Sequence, residues 1–204
     1  MIPPVLAAVY FGSPYFEILV IVGSFVLVGE LFSVCDRRIS WTLAGAAYVA
    51  VAAFGLISLR GSPSIGLETV AWLFIAVWAA DTGAYLFGRA IGGAKLAPSI
   101  SPNKTWAGFV GALVFSGGVG FACGEYLDKQ VVWPIIVFSS ALGAVSQCGD
   151  LLESWVKRRF HKKDMSGLIP GHGGLFDRAD GLLAAAIVTW LAGYATKGSI
   201  LEWL

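Results

Sequence analysis

Asp150, Glu153, Ser154, Lys157 and Arg158 recur at i, i+3, i+4, i+7 and i+8, a spacing that sets all five on one face of a helix. Leu151, Leu152, Trp155 and Val156 fall on the other side. The plain reading is an amphipathic surface helix with ion pairs such as Glu153 with Lys157. That reading leaves Asp150 unexplained, because it falls where an apolar run ends and an idle carboxylate is costly there. Next come Lys162, Lys163 and Asp164, then Pro170, Gly171, His172, Gly173 and Gly174, then Asp177, Arg178 and Asp180. Glycines around His172 let the backbone turn tightly and turn amides toward an anion, although such a segment can equally be an ordinary exposed turn. Asp177 and Asp180 can share one direction, and the returning chain can bring Asp150 and Asp177 to the same depth. Carboxylates beside Lys and Arg suit a divalent cation with phosphates around it. The chain has no Cys–His or Ser–His–Asp pattern that calls for a covalent route. Phosphoryl chemistry is the best match.

A second segment, DTGAYLFGRAIGGAKLAPSISPNKTWAG, supports this reading. Asp81, Tyr85 and Gly88 share a helical face, with Asp81 about 10 Å below the end of its apolar run at 1.5 Å per residue. An ionisable group at that depth is a functional-site hypothesis, with an interhelical ion pair as the alternative. Gly92, Gly93, Lys95, Ser101, Asn103, Lys104 and Thr105 supply small residues and donors suited to a triphosphate, but the P-loop spacing is absent. Taken alone, the segment would be a basic connector.

These groups must be positioned by a largely apolar chain. Of 204 residues, 57% are hydrophobic and 13% charged, about half the charge of a soluble domain, and the mean hydropathy is +0.76. Cys35, Cys123 and Cys148 lack paired spacing, so neither a disulfide framework nor a zinc site is indicated. No basic region precedes the first apolar stretch, so a cleaved signal peptide is not expected. A bilayer core of roughly 30 Å takes about 20 apolar helical residues. Six runs qualify: Tyr15–Val34, Trp41–Leu59, Val70–Gly88, Thr105–Cys123, Val131–Gly149 and the shorter Gly181–Thr196. Residues 1–14 form a short apolar piece broken by Pro3, Pro4 and Gly12–Pro14. The expected fold is an all-α polytopic bundle of about six spans, one membrane-embedded catalytic domain over 1–204 with cytoplasmic catalytic loops. Three basic residues (Arg60, Lys129, Lys197) lie on one side and eleven on the other, which places the eleven in the cytoplasm and both termini outside. Gly117, Gly118, Gly120 and Gly124 read as helix-packing surface, and Glu17 and Glu30 receive no role.

SWVKRRFHKKDMSGLIPGHGGLFDRAD, Ser154 to Asp180, closely resembles the signature of the phosphatidate cytidylyltransferases, or CDP-diglyceride synthetases. Ser154, Lys157, Arg158, Lys163, Asp164, His172, Gly173, Gly174, Asp177, Arg178 and Asp180 match the pattern. The upstream SPNKTW and DTGAYLFGR extend the likeness over roughly residues 78–185. Members of that family usually run longer at the N-terminus, and Ala107 stands where many carry Glu. The resemblance implies transfer from CTP to phosphatidic acid, giving CDP-diacylglycerol and pyrophosphate. It also implies Mg²⁺ held by Asp150 and Asp177, with a monovalent cation such as K⁺ beside it.

On this reading Lys157, Arg158, Lys163 and Arg178 offset phosphate charge, and Glu153, Asp164 and Asp180 support the metal or the basic groups. His172 contacts a phosphate or shapes its loop. Asp81, Ser101, Lys104, Thr105, Ser154, Gly173 and Gly174 are the expected substrate contacts. The expected partners are CTP, phosphatidic acid, the bilayer and a homodimer mate, with no nucleic acid. The expected location is a bacterial inner membrane with the site facing the cytoplasm. The rivals are a CTP-dependent polyprenol or phytol kinase-like enzyme and an ion-coupled transporter using Asp81, Asp150 and Asp177.

Overall fold

The structure, a computed structural model, describes residues 2–168, 173–196 and 199–204. The element order is α1 (Ile2–Phe11), α2 (Tyr15–Val34), α3 (Ile39–Arg60), α4 (Gly66–Ala90), β1 (Lys95–Ala97), β2 (Ser101–Thr105), α5 (Trp106–Tyr126), α6 (Trp133–Arg159), α7 (Phe176–Ala195) and α8 (Ile200–Trp203). Among the described residues, α2 to α6 are the five helices long and apolar enough to cross a membrane. The protein is a polytopic helical membrane protein. The sixth expected span lies in α7, where Asp177, Arg178 and Asp180 occupy the first turns. The apolar remainder from Gly181 covers roughly 22 Å at 1.5 Å per residue, short of the core thickness.

Two apolar clusters hold the bundle. In one, Val70, Leu73 and Val77 of α4 meet Ile135 and Leu142 of α6 and Ala185 and Ala186 of α7. In the other, Leu27, Leu31 and Val34 of α2 and Val49 and Ala52 of α3 meet Leu183 of α7 with Phe160, Met165 and Phe176. The segment joining α6 to α7 is thus anchored on α2 and α3 by its own apolar side chains. Trp72 buries its indole on α4 and donates Nε1–H to Ser139 Oγ at 3.0 Å, which satisfies the one polar atom of a buried tryptophan.

Glycine sets the closest helix contacts. At Gly83 a Cβ would collide with the carbonyl oxygen of Gly111, so α4 and α5 touch backbone to backbone, as small residues allow in membranes. Gly117, Gly120 and Gly124 sit against α6 or the turn before it as expected, whereas Gly118 faces open space.

The stretch between α4 and α5 departs from a plain connector. Gly92 and Gly93 take φ of +66° and +90°, a region glycine occupies without steric cost. They turn the chain into an antiparallel hairpin pairing Lys95 with Thr105 and Ala97 with Ser101. Ile100 N–H donates to Ala97 C=O at 3.1 Å across a turn with Pro98 at its second position, where proline's fixed φ is favoured. Thr105 ends the hairpin and caps α5, its Oγ1 accepting from Gly108 N–H at 3.0 Å. The all-α expectation therefore holds for the bundle but misses one hairpin. Its strands contain Pro102 and run only three and five residues, too short for an alternating pattern to register.

Candidate active site

α6 runs unbroken for 27 residues, about 40 Å at 1.5 Å per residue. It therefore crosses the apolar layer and carries Asp150, Glu153 and Lys157 to the end of the bundle where α4 finishes and α7 begins. Pro134 lies within its first two positions, where a missing N–H costs nothing. The hairpin folds over the same end.

A cavity of about 440 Å³ opens there. Asp81, Ser101, Lys104, Thr105, Asp150, Glu153, Lys157, Asp177, Arg178 and Asp180, all singled out in the sequence, line it. Tyr85 and Gly88 complete the α4 face, and Asn103, Gln147 and Phe109 add to the wall. Ser154, Arg158, Lys163, Asp164, Gly173 and Gly174 do not line it. His172 lies outside the described residues. Ser154 donates Oγ–H to Asp150 Oδ1 at 3.3 Å one helical turn back. Arg158 donates to the carbonyls of Ile100 at the hairpin tip and of Lys162, both at 3.3 Å. It fastens hairpin to helix rather than facing the cavity.

Lys104 is the hairpin's contribution. Its ammonium lies 2.8 Å from Asp150 Oδ2 and donates to Gln147 Oε1 at 2.8 Å. Gln147 Nε2 in turn reaches toward Asp81 Oδ1 at 3.5 Å. Sequence reasoning passes over Gln147. Its signal is a polar side chain one turn before Asp150 inside an apolar run, which places both on one side of α6.

The carboxylates separate into two groups. Asp150, Glu153 and Asp180 each offer an oxygen within 4.8 Å of the others, close enough to hold one metal ion. Glu153 Oε1 is buried with no hydrogen-bond partner. A buried carboxylate oxygen without a partner is unfavourable unless a cation or a proton meets it, and Glu153 is a member of the acidic group. The donor set, all carboxylate oxygens, suits a hard divalent cation such as Mg²⁺.

Asp177, expected beside Asp150 at the metal, uses its oxygens differently. Oδ1 lies 2.6 Å from the Lys157 ammonium, and Oδ2 accepts from the Met165 and Gly174 amides at 2.9 and 2.8 Å. Asp177 precedes the apolar stretch that starts at Gly181. Burial pushes its carboxyl up, but the hydrogen bond from Lys157 and those from the two amides outweigh burial and hold it below the usual carboxylate range. Lys157 also lies 2.7 Å from Glu153 Oε2, so one ammonium ties α6 to the start of α7. Gly173, with φ +80°, approaches Asp177 so closely that a Cβ would lie 2.9 Å from Oδ2. Its role is to let the chain pass that carboxylate.

A model described as the cytidylyltransferase family matches residues 36–195. The phosphatidate cytidylyltransferase of Brucella suis biovar 1 (strain 1330) is 46% identical over 153 residues, 75% of this chain and 57% of the relative. That of Staphylococcus saprophyticus (strain ATCC 15305) is 40% identical over 159 residues, 78% of this chain and 59% of the relative. That of Haemophilus influenzae (strain ATCC 51907) is 45% identical over 128 residues, 60% of this chain and 44% of the relative. The chain thus spans somewhat more than half the length of the first two curated relatives. The matched stretch runs from just after α2 to the end of α7 and includes every residue of the acidic group, the hairpin lysine and the Lys157–Asp177 link, and on that match the chain belongs to the cytidylyltransferase family.

Proposed function

We propose that this protein transfers a cytidylyl group from CTP to phosphatidic acid, giving CDP-diacylglycerol and pyrophosphate, as a step of phospholipid biosynthesis. The observation that carries the reading is one cavity that combines a cation-ready group (Asp150, Glu153, Asp180) with Lys104, Lys157 and Arg178. Only a substrate with both metal-binding and strongly anionic groups uses all six, and a nucleoside triphosphate meeting a lipid phosphate has both. The names of the relatives agree with this.

In the reaction, a phosphate oxygen of phosphatidic acid attacks the α-phosphorus of CTP. The new P–O bond forms as the bond to the bridging oxygen of the β-phosphate breaks, and pyrophosphate leaves with that electron pair. Asp150, Glu153 and Asp180 would hold Mg²⁺, which would supply positive charge to the phosphate oxygens, and the further carboxylate of Asp81 would suit a monovalent cation such as K⁺. Lys104, Lys157 and Arg178 offset the charge that builds on the transferring and leaving groups. The attacking phosphate is already ionised near neutral pH, so the site needs no strong general base. Ser101 and Asn103 offer polar contacts from the hairpin. Tyr85 and Phe109 give the cavity an aromatic side on α4 and α5, suited to a lipid whose acyl chains stay in the bilayer. The concentration of Lys and Arg at this end supports a bacterial cytoplasmic membrane location with the cavity facing the cytoplasm.

Purified protein in detergent, given radiolabelled CTP and phosphatidic acid with and without Mg²⁺, should form labelled CDP-lipid only with the metal. Phosphorylation of a free polyprenol or phytol instead would transfer the assignment to the kinase-like class. Cation flux in liposomes without CTP turnover would transfer it to a transporter.

A further inference from the structure

Glu30 lies within α2, outside the family-matched stretch, and is 6% exposed among Leu27, Leu31 and Val34. A carboxylate in the apolar part of a membrane helix is costly unless it is fully engaged. Here it is. Glu30 Oε1 accepts from Ser166 Oγ–H and from Leu175 N–H, the latter at 2.9 Å, and Oε2 accepts from Phe176 N–H at 2.8 Å.

Leu175 and Phe176 are the N-cap and first residue of α7, and no side chain of α7's own N-cap satisfies their amides. The opening N–H groups of a helix need acceptors, and its positive end favours an anion. Glu30 supplies both from another helix. Gly174 bears on the same contact, because a Cβ there would lie 2.7 Å from Glu30 Oε1. The second glycine of the HGG run therefore leaves room for a buried carboxylate of α2. Asp177, Arg178 and Asp180 follow within the next turns and line the cavity.

We propose that Glu30 is a positioning residue: by capping α7 from α2, it fixes where Asp177, Arg178 and Asp180 meet the cavity. This rests on the function proposed above for its activity readout, and on nothing but the fold for its structural one.

Glu30→Gln keeps the size but leaves one oxygen for three donors and turns an NH₂ toward amides. In the full chain in nanodiscs, hydrogen–deuterium exchange at Leu175 and Phe176 should quicken by about tenfold or more. CTP turnover should lose about tenfold or more in kcat, with KM for CTP moved less than about threefold. Gly174→Ala, whose methyl displaces the same oxygen, should reproduce both effects, and the double variant should lose little more than either single one. Wild-type exchange and turnover in Glu30→Gln, or losses that add in the double variant, would overturn the proposal. If the unaltered chain fails to turn over CTP, the proposed function falls, and faster exchange in Glu30→Gln still upholds the capping role while unchanged exchange rejects it.

Discussion

Gly149 of α6 lies against the main chain of Asp180 in α7, so closely that a Cβ at Gly149 would stand 2.6 Å from the Asp180 carbonyl oxygen. The contact is nearly reciprocal, since a Cβ at Gly181 would meet Ser146 Oγ. Each glycine adjoins a carboxylate of the acidic group, Asp150 after Gly149 and Asp180 before Gly181. The close helix crossing is what brings those two carboxylates within reach of each other.

Gly149→Ala should therefore act on chemistry through geometry. Backbone atoms cannot yield as a flexible side chain can, so α7 must move by an appreciable fraction of an ångström, and misplacements of that scale cost about tenfold or more in rate. The check is turnover per folded protein, with a monodisperse elution profile and unchanged helical circular dichroism. Full activity in this variant would show that the crossing does not set the site.

Metal affinity should divide the carboxylates. Glu153→Gln and Asp180→Asn should weaken Mn²⁺ binding, followed by electron paramagnetic resonance, by more than Asp177→Asn, whose effect reaches the ion only through Lys157 and should stay within the range of about 10–100-fold for outer contacts. Asp177→Asn should still cut turnover severely, because Asn offers Met165, Gly174 and Lys157 one acceptor oxygen in place of two and no charge for the ammonium. Mn²⁺ binding lost in Asp177→Asn and kept in Glu153→Gln would restore Asp177 as the ligand.

Lys157→Met should be among the most damaging substitutions. It leaves Glu153 and Asp177 facing each other without the ammonium that joins them, and removing one partner of a buried pair typically costs about 3–5 kcal/mol. Thermal unfolding in detergent should show a clear drop. By contrast, Asp36→Asn breaks only the 3.6 Å pair with Lys162, whose side chains are 56% and 45% exposed. Such a pair contributes about 0–1 kcal/mol, so activity and melting should stay close to the unaltered chain.

The Asp177 tether carries a signed pH dependence. Its carboxyl is held below the ordinary range, so its contribution is fully present above the unfolded value of about 3.9. The contribution is lost only as pH falls through the lower folded value. Amide exchange at Met165 and Gly174, corrected for intrinsic rates, should show the same protection at pH 7 and pH 5. Loss of protection between those values would contradict the tether.

The sequence by itself determined the membrane class, the charge bias toward one end, and nearly the full set of polar residues around the cavity. These are readable because apolar runs of span length, clustered Lys and Arg, and helical spacing such as Asp150–Glu153–Lys157 are local properties. Tertiary structure decided how those residues are divided. That Glu153 and Asp180 join Asp150 while Asp177 turns to Lys157 and two amides depends on the Gly149–Asp180 crossing, which no local pattern encodes. Lys104 reaches Asp150 only because the Pro98 turn closes a hairpin too short to register as strands. Glu30 looks idle in the sequence because its partners, Ser166, Leu175 and Phe176, are more than 130 residues away. A buried carboxylate declares a need for donors, and only the packing of α2 against the start of α7 shows which donors meet it.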